Sequence, residues 1–505
     1  MTHSPSIPDI VTSYIGGQWQ APGAQLLDVI NPSHGQVVCR ISEADAAETA
    51  RAVESARQAH QSGVWRKLPA ADRQAVFRRI VALTRDRLDE LSALECINSG
   101  LPLRYLRHRQ LPRICRNFDF FADWLSQNVE KAGMQDDAYL RYVVREPAGV
   151  AALISPWNAP LALASTKIAA ALAFGNTCVV KTAETTPLAV AKFMDILSEA
   201  GVPPGVVNMV NGRGAVTGQA LVSHPAVRVV SFTGGTATGR QIAAAAAPGL
   251  KRVDLELGGK SANIITATAN LSDALDGALT SIYTNNGQQC FAGSRILLER
   301  PIAEVFIARF VERARAIRVG DPLDPATEVG PLANAAHYAR VKSFVQGAAA
   351  DGGTLLCGGG RPAGLSEGYY LEPTAVLVKS NAVRLCQEEI FGPVVAIQVF
   401  DTFDEALAIA NDSDYGLVSY LWTNDLQQSQ RAAQTLEAGV VLVNTPMLLD
   451  LRFPFGGYKN SGVGREGIEG MRHFYTEEKT VTLALKRPAM ERLGLPTSPA
   501  AAAHR

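Results

Sequence analysis

Between residues 149 and 257 the chain alternates short apolar, β-branched runs with helix-like segments, and this alternation restricts the fold more than any other feature. The runs are GVAALIS (149–155), TCVVK (177–181), VVNMV (206–210), VRVVSF (227–232) and VDLEL (253–257), each ending near Gly, Asn, Thr or Glu. Such runs, joined by long connections, read as parallel strands linked by crossover helices. TTPLAVAKFMDILSEAG is one such crossover, with Thr186 expected as N-cap, Pro187 at the first helical position and Gly201 just past the end. Ahead of this unit, residues 41–128 read as helices, in stretches such as EADAAETARAVESARQAH and AADRQAVFRRIVALTRDRLDELSALE.

After Gly259 a second alternating series runs to about residue 447, with RILLER, VVAIQVF, LVSYLW and GVVLVN as strands between amphipathic helices. A chain of 505 residues is too long for one ordinary core, and two α/β units are expected. YLRYVVREP (139–147) and KTVTLAL (479–485) alternate like exposed strands yet sit outside both series. An unpaired strand seeks a partner, so oligomerisation is expected there. The final stretch, 489–505, has little to bury and is expected to be mobile.

Lys plus Arg equals Asp plus Glu at 48 each, which offers no basic field to nucleic acid and no acidic block to a charged partner. No stretch has the uninterrupted apolar length of a membrane span; the most apolar region, 150–174, is broken by Pro156, Trp157, Asn158, Pro160 and Lys167. The start lacks a basic segment followed by an apolar one, so a soluble cytoplasmic protein is expected. Seven scattered cysteines without CxxC pairs argue against a disulfide framework and a zinc site, and no metal is expected.

One cysteine stands apart. Cys290 lies in NNGQQCFAGSR, a polar loop after a helix, flanked by Gly287 and Gly293. Glycines let a ligand approach the backbone, and a backbone N–H beside a nucleophile can stabilise an oxyanion, which together indicate a reactive thiolate. In VDLELGGKSAN, Glu256 ends an apolar strand just before Gly258 and Gly259, where open α/β sheets place ligands; the competing reading is a salt-bridged strand-terminal Glu. In ISPWNAP, Asn158 could donate an amide N–H to a developing oxyanion, or serve as a turn residue. SFTGGTATGR sets Gly234, Gly235 and Gly239 between a strand and a helix, an arrangement that offers backbone N–H groups to a pyrophosphate. Neither it nor NGRGAVTG, with Gly212, Gly214 and Gly218, has the strict GxGxxG spacing, so a different dinucleotide geometry is needed.

ISPWNAP, KTAE, SFTGGTATG, ELGGKS, GQQC, EEIFGPV and PFGGYKNSGVGREG follow in that order from residue 154 to 467, and the chain resembles the aldehyde dehydrogenase superfamily over nearly its whole length. The resemblance implies an α/β fold with a Rossmann-like parallel-sheet cofactor domain (1–128 and 148–258), an α/β catalytic domain (259–447, with 448–474 returning near the cofactor domain) and a small β oligomerisation arm (129–147 and 475–488). It makes Cys290 the nucleophile, Glu256 the general base and Asn158 the oxyanion donor. Lys181 and Glu184 go to the adenosine ribose, Gly234 to Gly239 to the pyrophosphate, and Glu389 with Phe391 to the nicotinamide ribose and ring. Ser155, Pro156, Trp157, Gly214, Gly218, Phe232, Thr233, Gly235 and Leu257 complete the expected cofactor wall. Thr182 departs from the proline usual after the lysine, and Gly235 and Ala237 from the commoner serine and glutamate. Glu184 suits a ribose diol and would repel a 2′-phosphate, so NAD is favoured over NADP.

SGLP, LPRICRNFDFFADW, YGLVSYLWT and LDLRFPFGG resemble the muconic semialdehyde dehydrogenases of aromatic-ring catabolism, the hydroxymuconic and carboxymethyl-hydroxymuconic types. Their substrates carry a carboxylate beyond the aldehyde, which calls for a cation. Arg113 and Arg452 are the expected cations, each with the competing reading of an Arg paired to an acid such as Asp119 or Asp450. Asn444 and Phe453 are expected beside them. Broad, betaine-aldehyde or succinic-semialdehyde specificity is the alternative, with a coenzyme A-acylating enzyme or a catalytically silent structural relative behind it. Family resemblance implies a homodimer or homotetramer.

Overall fold

The computed structural model describes residues 5–494 apart from 447, 489 and 492. All five runs of the first series are strands, each within one residue of the expected bounds: Val150–Ile154, Thr177–Lys181, Val207–Val210, Val227–Thr233 and Arg252–Glu256. Val150–Ile154 and Thr177–Lys181 are buried along their whole length, the reason they read as unbroken apolar runs rather than as alternation. They form the parallel core of an eight-stranded sheet in the spatial order 252–256, 227–233, 150–154, 177–181, 207–210. The chain winds outward from the first strand, then crosses over to begin again on its other side. The order therefore reverses between Val150–Ile154 and Val227–Thr233, and a crevice opens beyond their carboxyl ends, where ligands of such sheets sit. Antiparallel pieces complete the edges: Tyr14–Ile15 and Gln18–Trp19 on one side, Gly462–Val463 on the other.

The helix after Thr177–Lys181 is Leu188–Glu199, one residue shorter at its start than expected. Pro187 occupies the cap position, and Asn98, on the helix Leu88–Ser99, accepts from the Leu188 N–H at 3.0 Å in place of Thr186. Gly201 takes φ +91 just past the end, as the sequence requires. The long helical stretch after residue 69 is two helices, Ala70–Asp86 and Leu88–Ser99, parted at Arg87 (φ −108, ψ 14). Ile10–Val11, Val37–Ser42 and Leu26–Ile30 form a small sheet that the sequence reading did not anticipate.

The second series makes a seven-stranded sheet in the order 354–357, 374–377, 394–400, 295–299, 262–265, 418–422, 440–443, parallel except for its first strand. Tyr139–Pro147 and Thr476–Ala484, expected as strands in search of partners, pair antiparallel with each other from Thr476↔Pro147 to Ala484↔Tyr139, and Ala132–Asp136 adds a third strand. Most of the stretch 489–505 lies outside the described residues. Among the described residues no helix is long and apolar enough to cross a membrane. The apolar helix Pro160–Ala173 is instead a core element, with Lys167 on its buried surface.

Candidate active site

The segment before Cys290 is bent where the sequence reads NNG. The helix Leu271–Tyr283 ends, and Asn285, Asn286 and Gly287 follow with φ of 55°, 57° and 70°. Asparagine visits the left-handed region more readily than most side chains, and the buried amides then lock the turn. Asn285 Nδ2 donates to Asn158 O (3.0 Å) and Gln288 O (2.8 Å). Asn286 Nδ2 donates to Gly100 O and Pro331 O, both at 2.9 Å, while its Oδ1 accepts from Gly330 N–H at 2.8 Å. Gln288 Oε1 accepts from Ala333 N–H, and Gln289 Nε2 donates to Ser281 O. Every polar side chain from 285 to 289 thus holds the loop, which leaves Cys290 at its end as the one cysteine of seven that is not buried.

Three of the sequence-derived residues converge on this loop. A Cβ on Gly259 would collide with the Cys290 carbonyl oxygen, so ELGG and QQC touch backbone to backbone. Asn158 Nδ2 donates to Gln288 O at 2.8 Å, which fixes the amide beside the cysteine turn. Glu256 is 3% exposed and neither of its oxygens accepts a hydrogen bond from the protein. Burial raises its pKa well above the carboxylate range, and the charges of Glu466 and Asp254 raise it further. The strand-terminal salt bridge considered for it is absent among the described ion pairs. Burial also pushes the Cys290 thiol up, with Glu256 and Glu389 adding to the effect through their charge.

The residues expected at the cofactor lie around the sheet's crevice. Ser155, Pro156 and Trp157 follow the strand Val150–Ile154, and Gly234 and Gly235 follow Val227–Thr233. A side chain at Gly234 would strike the ring of Phe232, and one at Gly239 would strike Leu257, whereas Gly235 faces open space at the uncapped start of the helix Thr236–Ala246. Lys181 is buried and donates to Thr182 O, with Glu184 at 3.9 Å and 42% exposed. Gly214–Gly218 form one π-helical turn against the Lys181 stem. Glu389 Oε1 accepts from Gly259 N–H at 2.9 Å, and burial raises its pKa to about 7. Phe391 takes φ +64 and packs edge-on to Trp157 at 5.2 Å, while His337 Nε2 donates to the Phe391 carbonyl.

The four residues expected at the substrate separate into two kinds. Arg113, at the start of the helix Pro112–Gln127, makes no hydrogen bond or ion pair among the described residues; burial lowers its pKa, and the nearby Glu466 and Cys290 are the titratable groups that oppose this most. The acid suggested as its partner, Asp119, is held instead by Arg78 and Arg85. Arg452 is 72% exposed and forks onto Asp450, holding that carboxyl at a pKa of about 2. Asn444 uses its amide on the Thr423 backbone, and Phe453 is 66% exposed.

Sequence reasoning passed over a buried group behind Glu256. Lys167 Nζ donates to Ser231 Oγ (2.8 Å) and Glu466 Oε1 (3.3 Å), and Ser231 Oγ donates to Asp254 at 3.5 Å. The available signals were a lone lysine in an apolar helix and an acid in GREG.

Comparison with known proteins identifies the family. The model of the aldehyde dehydrogenase family matches residues 19–481. The chain is 42% identical to 5-carboxymethyl-2-hydroxymuconate semialdehyde dehydrogenase of Escherichia coli, over 90% of this chain and 97% of that one. It is 40% identical to 2-hydroxymuconic semialdehyde dehydrogenase of Pseudomonas sp. (strain CF600), over 94% and 99% respectively. Among solved structures, PnpE, from Pseudomonas sp. WBC-3, in complex with nicotinamide adenine dinucleotide superimposes with a TM-score of 0.92 at 41% identity, covering 95% of this chain and 98% of that one. A cysteine turn locked by its own amides, an unpaired buried glutamate behind it and a match along nearly the full length have one reading: the chain belongs to the aldehyde dehydrogenase family, oxidoreductases that act on aldehydes.

Proposed function

We propose that the protein oxidises a carboxylate-bearing semialdehyde of the muconic type to the carboxylic acid, with NAD as oxidant and a thioester on Cys290 as intermediate. Arg113 carries the substrate reading. It is a half-buried cation without an anionic partner in contact among the described residues, and the Cys290 thiol is among the titratable groups near it. An arginine so placed meets the far carboxylate while the aldehyde reaches the thiol. Arg452 is engaged by Asp450 and exposed, so the role falls to Arg113 rather than to both.

The residues at the crevice fit a dinucleotide. Gly235 leaves room at a helix start, Glu184 offers an exposed carboxylate to a ribose diol, and Glu389 is held at the Cys290 side by Gly259. Bound NAD supplies the hydride acceptor. The Cys290 thiolate attacks the aldehyde carbon, and the Asn158 amide with the Cys290 backbone N–H receives the oxyanion. Loss of hydride from that carbon leaves the thioester. Glu256 then takes a proton from water, the hydroxide adds to the acyl carbon, and the thiolate departs as the acid forms. The muconic-type relatives support the choice of aldehyde. The outer strands of the arm, 132–136 and 476–484, are open to pairing with a second copy of the chain, which favours a homo-oligomer.

The test compares kcat/KM for 2-hydroxymuconic semialdehyde with that for neutral aldehydes of similar length, in wild type and Arg113→Ala. A preference for the acid substrate that disappears in the variant is the expected result; equal turnover of both aldehydes by wild type rejects the substrate reading.

A further inference from the structure

At the adenosine end of the crevice, four charged side chains meet: Lys181, Glu184, Arg213 and Glu43. Glu43 comes from the segment between the strand Val37–Ser42 and the helix Ala46–Ser62, far in sequence from the other three. It is 7% exposed, yet its carboxylate serves a residue on the surface. Its Oε1 accepts from both the backbone N–H and Nε of Arg213 at 2.9 Å, and its Oε2 accepts from Nη2 at 2.6 Å. The contact is built into the backbone on both sides. Ala44 N–H donates to Asn211 O, Thr217 Oγ1 donates to Ala44 O, and Gly212 (φ +143) lies against the Glu43 stem and Thr217, where a side chain would not fit. Asn211 in turn accepts from Thr182, next to Lys181.

We infer that Glu43 is a cofactor-discriminating residue, one that holds the Arg213 guanidinium away from any 2′-phosphate and so keeps the site selective for the unphosphorylated ribose. This rests on the reading that the adenosine ribose lies at Lys181 and Glu184. Arg213 is the reachable cation there, with its side chain 54% exposed, whereas Lys181 is buried and donates to Thr182 O. A guanidinium fork matches a phosphate as well as it matches a carboxylate. Glu43 occupies that fork in advance, and the four groups sum to no net charge, so an incoming phosphate dianion finds two carboxylates and no free cation. Removing the Glu43 charge leaves the group net positive and Arg213 unclaimed. Discrimination on this account is set by an N-terminal residue that need not touch the cofactor.

The experiment is titration calorimetry of the full-length protein with AMP and with adenosine 2′,5′-bisphosphate, which needs no turnover. In Glu43→Gln, whose amide oxygen still accepts from the Arg213 N–H, the ratio of the two Kd values should move toward the bisphosphate by about tenfold. Adding Arg213→Ala to that variant should cancel the shift. Glu43→Asp keeps the charge but is too short to fork the guanidinium, and should shift the ratio in the same direction by less. An unchanged ratio in both Glu43 variants overturns the inference, as does a shift that survives Arg213→Ala. Failure of wild type to bind AMP or NAD at all would instead overturn the cofactor reading beneath it.

Discussion

Lys167 Nζ stands 3.3 Å from Glu466 Oε1, a lysine and a glutamate with side chains 1% and 6% exposed, directly behind the Glu256 carboxyl proposed as general base. One ammonium faces Glu466, Asp254 and Glu256 in a buried interior. A buried pair of this kind costs much to break and contributes little beyond a well-packed apolar pair. Lys167→Met, which leaves Glu466 alone, should therefore lower unfolding free energy by about 3–5 kcal/mol, while Lys167→Met with Glu466→Gln should recover most of it. Urea denaturation of the two variants checks this.

The same arrangement sets a pH dependence. Glu256 has its pKa raised by burial and then by Glu466, and it works as a base only when ionised. Turnover should fall on acidification through a limb that lies above the ordinary carboxylate range. Glu466→Gln removes a like charge and should move that limb down. A limb at the usual carboxylate position in wild type, measured as kcat against pH, would contradict the assignment of Glu256.

A stability prediction follows from Glu95. It is wholly buried, accepts from Leu161 N–H at 3.1 Å, and burial lifts its pKa to about 8 from an unfolded value of 4.5. The folded state binds its proton more tightly than the unfolded chain, so the group's stabilising contribution is complete below pH 4.5 and is lost as pH rises toward 8. Thermal midpoints at pH 5 and pH 8.5 should differ more in wild type than in Glu95→Gln.

Arg113→Ala should raise KM for the acidic semialdehyde by a factor corresponding to about 2–5 kcal/mol, with neutral aldehydes unaffected. Arg452→Ala should leave both unchanged within about twofold, because an exposed arginine already paired with Asp450 contributes little. Steady-state kinetics on paired substrates reads both outcomes.

Asn286→Ala removes three hydrogen bonds at once and orphans Gly100 O, Pro331 O and Gly330 N. It should cost about 3 kcal/mol of stability and slow alkylation of Cys290 by iodoacetamide, since the turn that presents the thiol is no longer held.

Much of this was legible before the fold. The strands of the first sheet were visible because they are buried on both faces and so spell continuous apolar runs, and the Cys290 loop was visible because polar residues and glycines crowd a cysteine. Strands such as Ala262–Ile265 and Thr374–Leu377 were missed because a short apolar run cannot be told from a buried helix segment by periodicity alone. Thr186 was taken for a cap because local rules cannot see Asn98, which does the work from a neighbouring helix. Lys167 showed itself only as an interruption of an apolar stretch; its partners Ser231 and Glu466 lie 64 and 299 residues away. Arg113 and Arg452 were indistinguishable by type, and burial separates them.

The most direct test of the mechanism is to mix Glu256→Gln with NAD and semialdehyde, quench in acid and weigh the peptide that contains Cys290. The account predicts one equivalent of reduced nicotinamide and an acyl adduct on Cys290 that persists because its hydrolysis lacks a base. An unmodified Cys290 peptide, together with near-normal NAD reduction by Cys290→Ala, would contradict it.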